Sequence, residues 1–134
     1  MKICIVAANY YPKISDNLIS KSVEILKKNG LNEYKKIYVP GIYEIPFIIS
    51  KNINTYDAFI TLGCVIKGET PHFEFLCSSV FNEMINLSTK HKKPIGNGII
   101  TCLNKKQALN RSNLKGRNKG EEATKAIISL LDLE

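Results

Sequence analysis

Arginine, histidine and paired cysteines are what this sequence has least of. Its arginines are Arg111 and Arg117, and every other one of its 19 basic residues is Lys. Those Lys are spread along the chain rather than gathered with Arg and aromatics on one face, which argues against a nucleic-acid surface. The formal charge of +7 still favours an anionic small ligand such as a phosphate ester. Cys4, Cys64, Cys77 and Cys102 form no C-x-x-C pair, and His72 and His91 stand at no ligand spacing from them. A zinc site is thereby disfavoured. So is a disulfide framework in a cytosolic chain, and the four thiols read as small apolar fillers. No apolar run approaches the ~20 residues that span a bilayer. The opening MKICIVAANYY carries a single Lys and no cleavage-type tail. It reads as a strand rather than a signal peptide, and a cytoplasmic protein is expected. A G-x-x-x-x-G-K-[ST] pattern is also missing, so a nucleoside triphosphate is not indicated.

What is there suits one α/β domain over residues 1–134, with 44% hydrophobic and 23% charged residues. Residues 3–8 form a continuous apolar run, the mark of a parallel strand covered on both faces. Ser15 or Asp16 is expected to cap the next helix, whose apolar positions are Leu18, Ile19, Val23 and Leu26, with Gly30 past its end. Lys36–Pro40 reads as a second strand. Pro46 must fall in the first turn of a second helix, which leaves Tyr43 and Glu44 near the loop before it. Asp57–Ile66 reads as strand three. After Pro71, apolar residues from Phe73 to Leu87 recur at helical steps. Ile95–Thr101 is strand four, with Gly96 and Gly98 marking a close backbone approach. Asn104 caps a short helix, and Glu121 opens the last one. This alternation predicts a parallel sheet between two helix layers, a three-layer α-β-α sandwich with strand order 2-1-3-4.

The unusual polar and aromatic residues fall at the carboxyl ends of the strands, where open α/β sheets bind ligands. Strand one delivers Asn9, Tyr10 and Tyr11; the tyrosines can stack on a planar ligand or cap the core. Strand two delivers Gly41, Tyr43 and Glu44, and strand four Thr101 and Asn104, with Asn97 further back. Strand three runs into the turn Lys67, Gly68, Glu69, Thr70, Pro71 and His72. Gly68 allows close approach or positive φ. Glu69 and Thr70 precede a helix whose free N–H groups attract phosphate. His72 offers an imidazole for proton transfer. Arginine is so scarce that Arg111, and more weakly Arg117 in its polar loop, suggests a bidentate need, for which phosphate is the usual reason.

VPGIYEIP (Val39 to Pro46), TLGCVIKGETPHFEF (Thr61 to Phe75), GIITCLNKKQALNR (Gly98 to Arg111) and GRNKGEEA (Gly116 to Ala123) together resemble the 6,7-dimethyl-8-ribityllumazine synthase family. The resemblance runs through essentially the whole chain. It implies a flavodoxin-like fold and condensation of 5-amino-6-(D-ribitylamino)uracil with 3,4-dihydroxy-2-butanone 4-phosphate, without metal or organic cofactor. By position, His72 matches the proton-transferring histidine. Glu69 and Thr70 match the phosphate-contacting pair, and Arg111 the phosphate-binding arginine, contributed by a neighbouring subunit. Tyr10 matches the aromatic that stacks on the pyrimidine. Ile42, Tyr43, Glu44, Cys64, Val65 and Ile66 match the segments that hold the ring and ribityl chain; Lys119 and Asn97 match further lining positions. The family assembles as pentamers or larger shells of pentamers, so a homo-oligomer with sites between subunits is implied. The departures are Tyr10-Tyr11 for a usual Phe-Asn, Asn97 for a common Phe and Lys67 for a frequent Arg.

Overall fold

The computed structural model describes residues 1–69 and 71–132. Its chain order is β1 (Ile3–Ala8), α1 (Pro12–Lys28), β2 (Tyr34–Val39), a 3₁₀ turn (Ile42–Glu44), α2 (Ile45–Lys51), β3 (Ala58–Ile66), α3 (Phe73–His91), β4 (Ile95–Cys102), α4 (Lys105–Asn110) and α5 (Lys119–Asp132). The strands form one sheet in the order β2-β1-β3-β4 with every pairing parallel. This is the expected three-layer sandwich of flavodoxin-like type.

Alternate strand residues feed two cores, as the period of two along a strand requires. Ile3, Ile5, Ile60 and Leu62 pack with Leu18 and Leu26 of α1 and Ile127 of α5. Cys4, Val6, Phe59 and Val65 pack on the other face with Ile45 and Ile49 of α2 and Val80 and Met84 of α3. All nine residues of β3 are buried, so the central strand is covered on both sides. The four cysteines are buried and free. Burial pushes the Cys4 thiol up to about 12, with Lys35 opposing, so it behaves as an inert filler.

Three expected boundaries are corrected. First, α1 starts at Pro12 with Tyr11 as its N-cap residue, not near Ser15 or Asp16. Proline suits the first helical position, where no N–H partner is lost. Ser15 is instead buried one turn in, and its Oγ donates to the Ala8 carbonyl at 2.6 Å. Second, β2 begins at Tyr34, because β1 pairs with it from Ile3↔Tyr34 onward. Third, α5 begins at Lys119 rather than Glu121. The Asn118 side-chain oxygen accepts from the Gly120 and Glu121 N–H groups at 2.9 and 3.2 Å, which makes it the cap. The other ends follow the sequence reading. Gly30 takes φ +74° after the last turn of α1, Asn104 accepts from the Gln107 N–H at 2.9 Å, and Pro46 sits in the first turn of α2.

Gly96 is where α5 presses on the sheet, and Gly98 is where β4 lies closest against β3. A Cβ on Gly96 would stand 2.6 Å from the Ala123 carbonyl oxygen, and one on Gly98 2.7 Å from that of Thr61. The close approach expected of these glycines is thus made by the protein itself.

Candidate active site

The order β2-β1-β3-β4 places the sheet's switch point between β1 and β3, the place where such sheets leave a crevice beyond the strand ends. A cavity of about 170 Å³ lies there, lined by Ala8, Tyr10 and Tyr11 after β1, Gly41, Ile42 and Tyr43 after β2, Cys64 and Val65 of β3, and Leu76 of α3. Tyr10 and Tyr43 are 64% and 72% exposed, so two aromatic rings border an apolar floor. Glu44 does not line the cavity. Its Oε1 accepts from the Gly41 N–H at 2.9 Å, which fixes the loop that carries Tyr43. Ile66 is buried against the α1 and α5 layer and does not line the cavity either. The Cys64 thiol is raised to about 12 by burial, then by Cys102, so it forms wall rather than nucleophile.

The two tyrosines divide their tasks. Tyr11 is half-buried against the core, and its hydroxyl donates to Glu69 Oε2. Burial first, then the bond to Glu69 and its charge, raise the Tyr11 phenol well above its ordinary value, so it remains a donor. The Tyr10 ring meets that of Tyr11 edge-on, with centroids 4.8 Å apart and planes at 73°.

Beyond the cavity, the turn after β3 is shaped by its backbone. Gly68 takes φ +89° and His72 φ +60°. For a residue with a Cβ the left-handed region costs roughly 1–2 kcal/mol, and such outliers collect at ligand sites. His72 is the N-cap residue of α3, yet its side chain makes no cap hydrogen bond. The first intrahelical bond among these residues runs from the Leu76 N–H to the His72 carbonyl at 2.8 Å. The N–H groups of Phe73, Glu74 and Phe75 therefore have no capping side chain at His72, an arrangement suited to an anion. The imidazole is exposed, with its centroid 6.3 Å from that of Phe75. Lys67 Nζ lies 3.8 Å from Glu74 Oε1 across the same turn. Thr70 lies outside the described residues.

Asn97, Arg111 and Lys119 line a separate cavity of about 150 Å³, with Phe81, Thr101 and Arg117 on its wall. The two cavities share no lining residue, so the strand-four residues do not join those of strands one to three within one chain. The reason lies in the topology. β4 is an edge strand, and Arg111, at the end of α4, folds back to donate to the Thr101 carbonyl at 2.9 Å. Arg117 and Lys119 both approach Glu122, at 3.4 and 4.0 Å. Among the described residues, Arg111 has no carboxylate within ion-pair distance. The scarcity of arginine pointed to Arg111 and, more weakly, to Arg117, and both stand in this cationic wall.

A parallel sheet with an aromatic crevice at its switch point, a left-handed turn and an uncapped helix start defines a ligand-binding α/β protein of flavodoxin-like type. This chain belongs to the 6,7-dimethyl-8-ribityllumazine synthase family, whose model matches residues 1–134. It is 38% identical to the 6,7-dimethyl-8-ribityllumazine synthase of Ruthia magnifica subsp. Calyptogena magnifica, over 98% of this chain and 84% of the relative. It is 39% identical to the synthase of that name from Bartonella bacilliformis, over 97% and 88%, and 38% identical to that of Buchnera aphidicola subsp. Schizaphis graminum, over 98% and 86%. No helix among the described residues is long and apolar enough to cross a membrane.

Proposed function

We propose that this chain is a cytoplasmic enzyme that condenses 5-amino-6-(D-ribitylamino)uracil with 3,4-dihydroxy-2-butanone 4-phosphate, giving 6,7-dimethyl-8-ribityllumazine, phosphate and water. The family match across residues 1–134 carries this reading. The aromatic cavity supports it, because a planar pyrimidine fits between exposed rings over an apolar floor. Tyr10 stacks on the ring, and Ile42, Tyr43, Cys64 and Val65 hold it. Glu44 and Ile66 act from behind, through the loop and the strand end they fix.

The phosphate sits at the start of α3. There the N–H groups after His72, the backbone of Glu69 and the Thr70 hydroxyl meet it. Arg111 of a neighbouring copy closes the phosphate end, with Asn97 and Lys119 lining the same side. The separation of the two cavities within one chain supports this division. A homo-oligomer, pentameric or built from pentamers, is the form in which the site is whole.

The chemistry needs proton transfers at each stage and no metal or organic cofactor. The pyrimidine amine adds to the ketone and loses water to form an imine. Elimination then expels phosphate, and the enol ketonises before the ribitylamino nitrogen closes the ring with loss of a second water. His72 moves these protons, a role typically worth ~10²–10⁴ in rate. Holding both reactants in one pose supplies more. The test is to mix the purified protein with both substrates and follow the lumazine absorbance. Product should accumulate with release of inorganic phosphate; its complete absence defeats the reading.

A further inference from the structure

We infer that Tyr11 is a positioning residue, holding the Glu69 carboxylate away from the phosphate so that the backbone at Glu69, and not its side chain, faces the anion. The inference rests on reading this turn as the phosphate site. Tyr11 and Glu69 are 58 residues apart, and the Tyr11 hydroxyl donates to Glu69 Oε2. Among the described residues no other side-chain hydrogen bond ties the turn after β3 to a different strand end. An ionised carboxylate only accepts hydrogen bonds, so it has nothing to offer a phosphate but repulsion. Yet Glu69 is exposed, one residue after a glycine at φ +89°, and nothing in its backbone fixes where its side chain points. Tyr11 is suited to fix it. It is half-buried, it is anchored as the N-cap residue of α1, and the bond it gives is charge-assisted. The Tyr11 ring also stands edge-on to that of Tyr10, which remains exposed for the ligand.

Tyr11→Phe tests this by removing one oxygen. Binding of inorganic phosphate, followed by titration calorimetry, should weaken about tenfold at low salt, the loss typical of a hydrogen bond to a charged group. The KM for the phosphate-bearing substrate should rise alongside it, while the KM for the pyrimidine stays within about twofold. Higher ionic strength should shrink the phosphate effect, because a freed carboxylate is screened. In a Glu69→Gln background, adding Tyr11→Phe should change phosphate affinity less than about twofold, since no charge is left to restrain. Unchanged phosphate affinity in Tyr11→Phe overturns the inference. So does an equal loss in both backgrounds, which would mark Tyr11 as merely structural. Wild-type protein that binds phosphate but forms no lumazine defeats the proposed reaction and leaves the inference to be judged on the phosphate arm. Wild-type protein that binds no phosphate overturns both.

Discussion

His72 and Arg111 occupy different cavities or borders of one chain, and their substitution should separate chemistry from binding. His72 is exposed at a left-handed N-cap position, so truncating it removes an imidazole without leaving a hole in the core. His72→Ala is therefore expected to fold normally and to lose about 10²-fold or more in kcat, while retaining turnover from substrate positioning. Arg111→Ala should chiefly raise the KM for the phosphate substrate, by about 10-fold or more, as a charged hydrogen-bond donor is lost. Steady-state kinetics of both variants check this, and an unchanged phosphate KM in Arg111→Ala would sink that assignment. The residue scale also shows what a sequence can and cannot declare. His72, Gly68 and Arg111 stand out in the sequence as candidates because each is rare or conformationally distinctive where it stands. The pairing of Tyr11 with Glu69 was not, because nothing local records a contact between residues 58 apart. The neighbouring tyrosines read alike, and only packing separates the one that caps the core from the one left exposed.

At the scale of elements, strands and helix interiors were legible because burial writes its period into the chain. β3 is buried at every position and reads as one apolar run; α3 is buried on one side and reads as a stripe. The helix starts were less legible. Asn118 lies within a polar, basic loop that looks structureless, yet it is 2% exposed and its amide also donates to the Asn17 and Asn113 carbonyls. A cap that doubles as a tertiary contact leaves no local sign of the second role. The glycines of β4 were recognised as points of close approach, but nothing local showed that β3 packs against Gly98 and that α5 crosses at Gly96. That crossing gives a sharp stability contrast. Gly96→Ala puts a methyl group 2.6 Å from a backbone oxygen and 3.0 Å from Ile127 Cγ2, in a place where α5 must shift. The expected loss is about 1–3 kcal/mol, seen as a lower urea midpoint at unchanged slope. Gly116→Ala meets nothing nearer than Asn113 side-chain atoms at 3.6 Å, so its midpoint should move by no more than about 0.5 kcal/mol equivalent. Equal effects from the two changes would show that α5 does not press on β4 as described.

At the scale of the whole molecule, the two unshared cavities turn a static observation into a test of assembly. The aromatic cavity and His72 belong to the β1 and β3 side, whereas Arg111 and Lys119 belong to the β4 edge. If a working site takes His72 from one copy and Arg111 from the next, the contact is head-to-tail and closes into a ring. His72→Ala and Arg111→Ala subunits then damage opposite sides of each contact. Each variant assembled alone has one defect at every site. When the two are unfolded, mixed in equal amounts and refolded together, about one site in four should pair an intact His72 with an intact Arg111, and about one in four should lack both. Assayed with the phosphate substrate well below its KM, where both variants are impaired, activity of the mixture should therefore rise well above the mean of the separate variants, towards a quarter of the wild-type value. Simply mixing the folded variants should restore little until subunits exchange. A site contained within one chain predicts the opposite result, because no mixed assembly could place both residues in one subunit. Co-refolded material that shows only the mean of its components would thus refute the shared site while leaving the fold, the family and the role proposed for His72 untouched.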